Sequence, residues 1–189
     1  MPASSNRAVG RQRRLLHHLQ PTSASPASSD WWVTPTDSKV NVLQQFDMGG
    51  KVALITGGTG WLGTAFAEAL AEVGATVIVS STSLQRGTDA AAALPTPAGQ
   101  KHVGVEMDHM DEASILAGFA AAVAAAGKVD VLINNGLGAA AAGDVTTTDF
   151  EKFAENNKNN AGYFVLAREL RDHVVERQVS GAVVNIGSM

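Results

Sequence analysis

The stretch "ALITGGTGWLGTAFAEAL", Ala53 to Leu70, limits what this chain can fold into more than any other. A short apolar run, Val52 to Ile55, leads into four closely spaced glycines, Gly57, Gly58, Gly60 and Gly63, and a helical pattern follows at once. Glycines at such a point let the backbone turn tightly out of a strand and let a ligand approach the main chain without meeting a Cβ. The helix behind the turn aims unpaired amides and the positive end of its dipole at the same space, which favours an anion such as a pyrophosphate. A glycine triplet alone is weak evidence. One that follows a strand, opens a helix and lies within a βαβ unit points to dinucleotide binding, against the alternative of a merely structural turn.

The rest of the chain repeats the alternation that the turn begins. Apolar runs predict strands at Val52 to Ile55, Thr76 to Ser80, His102 to Glu106, Val129 to Ile133 and Ala182 to Ile186. Between the first two, Leu62, Phe66, Ala69, Leu70 and Val73 recur at helical spacing and predict the buried face of a helix that Gly74 ends. Asp111 is placed to cap a later helix with Ile115, Leu116, Phe119 and Val123 inward and Gly127 at its end. Thr148 and Glu151 have the spacing of a capping box before a long helix that runs to about Arg177. Strand alternating with helix in this way implies an α/β fold, a doubly wound parallel sheet with helices on both faces.

In a dinucleotide site an acid about 20 residues beyond the turn holds the adenosine 2'-hydroxyl. No Asp or Glu lies between Val73 and Thr88, and the tip of the second strand carries Ser80, Ser81 and Thr82, with Arg86 just beyond. The missing acid disfavours strict NAD use. Ser81, Thr82 and Arg86 suit a 2'-phosphate, so NADP is the expected cofactor with NAD as the alternative; the competing reading is that these side chains only solvate a loop.

Composition removes several other classes. The chain of 189 residues has no cysteine, which excludes a disulfide framework and a thiolate nucleophile or metal site. No metal site is expected, because His102, His109 and His173 lack ligand spacing, and a solvated or surface role is the default for each. The apolar run Phe119 to Ala126 falls far short of the roughly 20 residues of a spanning helix, so no membrane span is expected. The net charge of -4 conceals a basic tail: residues 1–29 hold Arg7, Arg11, Arg13 and Arg14 and no acid. The remainder is acidic and offers no basic stripe, which argues against nucleic acid as a partner.

That tail divides the chain into an extension and linker over 1–43 and a dinucleotide-binding domain over 44–189. Its arginine-rich, acid-free bias fits an organelle import signal, an ordinary disordered extension, or a start upstream of a true one at Met48. A cytoplasmic location is expected, with mitochondrial import as the alternative. Trp31 and Trp32 are placed to anchor the linker on the domain.

From about Phe46 to Met189 the motifs resemble those of the short-chain dehydrogenase/reductase family. "GKVALITGG" with Gly63 resembles its opening strand and glycine turn, "VEMDHMDEAS" its acid after the third strand, "DVLINNG" its Asn-Asn-Ala-Gly motif, "NNAGYF" its asparagine helix and "GAVVNIGS" its serine strand. The resemblance implies that Thr56, Gly57, Gly58, Thr59, Gly60, Trp61, Leu62 and Gly63 line a nicotinamide cofactor, with Ser81 and Thr82 at its adenosine end. It implies that Asp108 contacts the adenine and that Asn134, Asn135 and Gly136 border the cofactor. It also implies that Ser188 holds a substrate carbonyl and that Asn159 supports a proton-relay water. The substrate class implied is a small-molecule carbonyl or alcohol, and the complete protein is expected to be a homo-oligomer.

Two departures and one gap qualify the resemblance. The turn spacing Thr-Gly-x-x-Gly-x-x-Gly is that of the family's extended branch of epimerases and dehydratases, and Trp61 stands where a glycine is usual. Gly136 and Leu137 replace the family's Ala-Gly. The family's general acid/base is a tyrosine with a lysine four residues on; the one tyrosine here, Tyr163, precedes the serine strand and is followed by Ala167. Core packing beside Phe164 is expected for it. The sheet is therefore expected to be incomplete at its C-terminal end, and the chain to stop before the Tyr-x-x-x-Lys segment and to be inactive as it stands. An extended-branch epimerase or dehydratase and a non-catalytic dinucleotide-binding module remain the alternatives.

Overall fold

The computed structural model describes residues 42–138 and 146–187; the extension, Trp31, Trp32 and Ser188 lie outside them. The described residues form α1 (Val42–Gln45), β1 (Val52–Ile55), α2 (Trp61–Glu72), β2 (Thr76–Ser81), α3 (Leu84–Ala92) and β3 (Val103–Glu106). They continue through α4 (Glu112–Ala126), β4 (Val131–Asn134), α5 (Phe150–Glu176) and β5 (Ala182–Asn185). All five strands run parallel, in the order β3-β2-β1-β4-β5.

Because side chains alternate across a strand, each strand feeds two cores. Val52 and Leu54 of β1 join Ile78 and Leu132 and pack against Ile115 and Phe119 of α4 and Leu166 and Leu170 of α5. Ile55 joins Val77, Val79 and Ile133 on the opposite face, against Ala67 and Ala71 of α2 and Ala91 of α3. Burial of one such Leu or Ile stabilises by about 1.5–3 kcal/mol, so two covered faces account for the near-continuous apolar runs of the central strands. The outer strands differ: β3 is only partly covered and all four residues of β5 are exposed.

The helix faces depart from the expected ones in an instructive way. On α2 the buried stripe is Gly63, Ala67 and Ala71, with Phe66 and Leu70 half-buried beside it, whereas Leu62, Ala69 and Val73 are exposed. Small residues at i, i+4 and i+8 let the helix axis lie close to the sheet, and the larger side chains splay to its flanks. On α4, Gly118 and Ala122 complete the stripe of Ile115 and Phe119, and Leu116 is exposed.

The ends follow sequence more closely. Asp111 caps α4 by accepting from Ala113 N and Ser114 N, and Gly127 closes it in the left-handed conformation. The cap of α5 is Asp149, not Thr148: its carboxylate accepts from Lys152 N at 2.8 Å.

At the N-terminal edge of the sheet a buried carboxylate ties β1, β4 and α5 together. Asp130 accepts from Val52 N at 3.0 Å, Lys128 Nζ at 2.9 Å and Arg177 Nη2 at 2.9 Å. Burial opposes its ionisation, but the hydrogen bonds from Lys128, Arg177 and Val52 outweigh burial and hold the carboxyl below its ordinary range.

Candidate functional site

A cleft of about 490 Å³ opens at the carboxyl ends of the strands. The chain leaves β1 toward β2 and β3 on one side and returns on the other side to form β4 and β5. The point where strand order reverses leaves a crevice above β1 and β4 that neither connection fills, which is where open α/β sheets bind ligands.

The floor of the cleft is made by two loops in contact. Thr56, at the end of β1 and buried, accepts on its Oγ1 from Asn135 N at 2.9 Å and from Gly136 N at 2.8 Å. Asn135 Nδ2 returns the contact, donating to Thr56 O at 3.1 Å and Gly57 O at 3.3 Å. Gly57 has φ +60°, and a Cβ there would lie 2.8 Å from Gly136 Cα. At Gly63, in the first turn of α2, a Cβ would run into Gly57 O and come within 2.8 Å of Gly58 Cα. Neither clash is relieved by a side-chain rotation, because both partners are backbone.

The same geometry leaves an anion site. Gly60, the N-cap of α2, has no side chain to cap the helix, so the amides of its first turn face the cleft without a side-chain acceptor. A diphosphate fits this cradle, in charge and in the space that the absent Cβ atoms leave. At one end of the cleft stand Ser81, Thr82 and Arg86. Arg86 Nη2 donates to Thr82 Oγ1 at 3.0 Å, and Ser81 Oγ accepts from Thr59 Oγ1 at 3.5 Å and from Ser83 N at 3.3 Å. Among the described residues, no acidic side chain lines the cleft.

The structure brings Gly57, Thr59, Gly60, Trp61, Leu62, Gly63, Ser81, Thr82, Asn135 and Gly136 together as lining. It places Thr56, Gly58 and Asn134 behind that surface and Asp108 outside it. Asp108 Oδ1 accepts from Met110 N at 2.9 Å, and its own amide donates to Ser114 Oγ at 2.9 Å. Asn134 is fully buried and bonds Asn185 Oδ1 at 2.8 Å, joining the ends of β4 and β5. Ser188 follows β5 but lies outside the described residues.

Of the four asparagines Asn156, Asn157, Asn159 and Asn160, only Asn159 is buried. Its Oδ1 accepts from Gly138 N at 2.7 Å and its Nδ2 donates to Asn156 O at 3.1 Å. Those two backbone partners fix which end of the amide is oxygen. His109 Nε2, 2.8 Å from the same Oδ1, must therefore be the donor.

His109 is the residue that sequence reasoning missed. It is buried and lines the cleft, not solvated as expected, and its position just after β3, at the same end of the sheet as the glycine turn, was the available signal. His102 and His173 are half-buried. His102 Nδ1 accepts from Val77 N at 3.0 Å, and His173 Nε2 accepts from Val129 N at 3.2 Å. In each case the ring accepts from a main-chain amide at a strand boundary. Burial, followed by the charge of Arg177, pushes the pKa of His173 down.

Tyr163 is half-buried and uses its hydroxyl to donate to Gly136 O at 2.7 Å. It is a brace for the loop after β4, whereas its expected packing partner Phe164 is 67% exposed. Burial raises the pKa of the phenol.

Comparison with known proteins agrees with this architecture. The chain is 33% identical over 146 residues to a 2-dehydro-3-deoxy-D-gluconate 5-dehydrogenase of Formosa agariphila, covering 76% of this chain and 54% of that protein. It is 34% identical over 145 residues to a 3-oxoacyl-(acyl-carrier-protein) reductase of Aquifex aeolicus, covering 74% and 56%. Among solved structures, a short-chain type dehydrogenase/reductase from Mycobacterium marinum superposes with a TM-score of 0.71 at 25% identity, over 79% of this chain and 60% of that one. The chain thus spans about half the length of the curated relatives it matches. The family model described as short chain dehydrogenase matches residues 51–189, and the chain belongs to that family.

Proposed function

We propose that the cleft binds a nicotinamide dinucleotide, NADP in preference to NAD, for oxidoreduction of a small-molecule carbonyl or alcohol. The observation that carries this reading is the glycine cradle, where Gly57 lies against Gly136 and Gly63 against Gly57 O before an uncapped helix start. The relatives' names, a dehydrogenase and a reductase, support the reaction class over the extended-branch alternative.

The dinucleotide, when bound, supplies the hydride donor or acceptor. The chain's own residues do the holding. The first-turn amides of α2 take the pyrophosphate, and Ser81, Thr82 and Arg86 take the 2'-phosphate, where an arginine fork matches phosphate geometry. Ser188 is proposed to orient the substrate oxygen. Asn159 is proposed as a positioning residue, because both acceptor sites of its Oδ1 are already taken by Gly138 and His109. Calorimetric titration of the purified chain should show one saturable site that is tighter for NADPH than for NADH. Absence of saturable NADPH binding would overturn the reading.

A further inference from the structure

Trp61 is 90% exposed, the most exposed large apolar side chain among the described residues, and Leu137 is 69% exposed. Both line the cleft. Trp61 follows Gly60 at the first position of α2, and Leu137 follows Gly136 in the loop after β4. Since Gly57 and Gly136 touch at the floor, the indole and the isobutyl group stand on the two lips of one crevice. Beside Trp61 the same lip carries Leu62, 48% exposed, and the other neighbours on the two lips are glycine, threonine and asparagine.

Neither side chain serves the fold. Tryptophan has no advantage at a helix start, and an indole left in water forgoes the burial that a core position would give it. The cleft is also polarised along its length. Ser81, Thr82 and Arg86 mark the β2 side, and Leu137 marks the β4 side, with Trp61 at the helix start between them.

Building on the dinucleotide reading, we propose that Trp61 and Leu137 form an apolar clasp. It closes over the pyrophosphate and nicotinamide-riboside half of the bound dinucleotide and sets how tightly that half is held. Covering the pyrophosphate excludes water from its contacts with the amides of α2, which strengthens them, while the ligand removes both apolar groups from solvent. The clasp thereby makes Trp61 an affinity-determining residue although it offers no charge and no backbone contact.

The test separates the clasp from the reading on which it rests. In the chain carrying Trp31→Phe and Trp32→Phe, Trp61 is the sole tryptophan. Saturating NADP+ should lower acrylamide quenching of its emission at least about threefold as the indole leaves water. By calorimetry, Trp61→Ala and Leu137→Ala should each weaken NADPH binding by roughly fivefold to tenfold, and Trp61→Phe by no more than about twofold. Truncating so exposed a side chain leaves the fold intact, which far-ultraviolet circular dichroism checks. Unchanged quenching, or an Ala variant that binds NADPH as tightly as the unsubstituted chain or more tightly, would sink the clasp while the dinucleotide reading stands. Failure of the unsubstituted chain to bind NADPH would remove both.

Discussion

His109 Nε2 donates to Asn159 Oδ1 across 2.8 Å, and the same oxygen accepts from Gly138 N across 2.7 Å. One buried amide thus ties the turn after β3, the loop after β4 and the middle of α5 into a single wall of the cleft. Asn159→Ala leaves the buried His109 Nε2–H and the half-buried Gly138 N–H without an acceptor, at a cost of up to about 1–3 kcal/mol for each. Urea denaturation should show a loss of about 2–4 kcal/mol. Nitrogen NMR of the unsubstituted protein should find the proton of neutral His109 on Nε2; a proton on Nδ1 would contradict the geometry.

Asp130 and His173 give stability two separate pH windows. The carboxyl of Asp130 is held below its ordinary 3.8, so the native state releases its proton more readily than the unfolded chain does. Its contribution is complete above 3.8 and disappears as pH falls through the depressed native value. Asp130→Asn should remove that acid-side slope and cost about 2 kcal/mol at neutral pH, less than a fully buried pair because Lys128 and Arg177 reach solvent.

For His173 the native pKa is pushed below 6.5, so the unfolded chain binds the proton first. Stability that is complete above 6.5 therefore declines as pH falls from there toward the native value. His173→Gln should flatten this second window and leave the Asp130 window in place, as read from denaturation midpoints taken from about pH 2 to about pH 7.

Gly63→Ala and Gly60→Ala should separate. A Cβ at Gly63 meets the backbone of Gly57 and Gly58, whereas one at Gly60 lies 3.3 Å from Gly57 O. The first should cost about 1–3 kcal/mol and weaken NADPH binding at least about tenfold. The second should cost under about 1 kcal/mol. Equal effects in thermal melts and calorimetry would refute the close approach at Gly63.

Arg86 reaches Thr82 at the rim of the cleft and is exposed. Arg86→Ala should reduce NADPH affinity by about tenfold and NADH affinity by no more than about twofold, the signature of a lost phosphate contact. A parallel drop for both dinucleotides would place Arg86 elsewhere than at the 2'-phosphate.

Tyr163 is the sole tyrosine, so its ultraviolet titration reads one group. Burial raises its pKa above 10.0, and its hydroxyl is committed to Gly136 O. The midpoint of the tyrosinate absorbance rise should lie above pH 10.0. Tyr163→Phe should cost about 1 kcal/mol through the lost brace. A midpoint below 10 would reopen its candidacy as an acid/base group.

What could be read in the sequence was what short stretches encode. The apolar run Val52 to Ile55 and the glycines behind it place β1, the turn and α2 almost to the residue, because strand period, turn chemistry and helix start are local properties. The buried face of α2 was not legible, since a pattern search weights Leu62 and Val73 over Gly63, Ala67 and Ala71. Only the sheet behind the helix makes smallness the requirement. His109 escaped for a different reason: its partner Asn159 lies fifty residues away, and no spacing rule links a turn to the middle of a distant helix. Asn159 itself stood out by family resemblance, and burial then separated it from the exposed Asn157 and Asn160.

The bond from Asn135 N to Thr56 Oγ1 joins positions 79 residues apart. Loop-closure entropy must be met before such a contact returns anything, so β1, α2 and β2 can associate as neighbours well before β4 arrives beside β1. The cleft floor is therefore a late event in folding. A nascent chain carries a finished glycine turn for some time with nothing opposite it, and the cleft has its floor only when β4 closes beside β1.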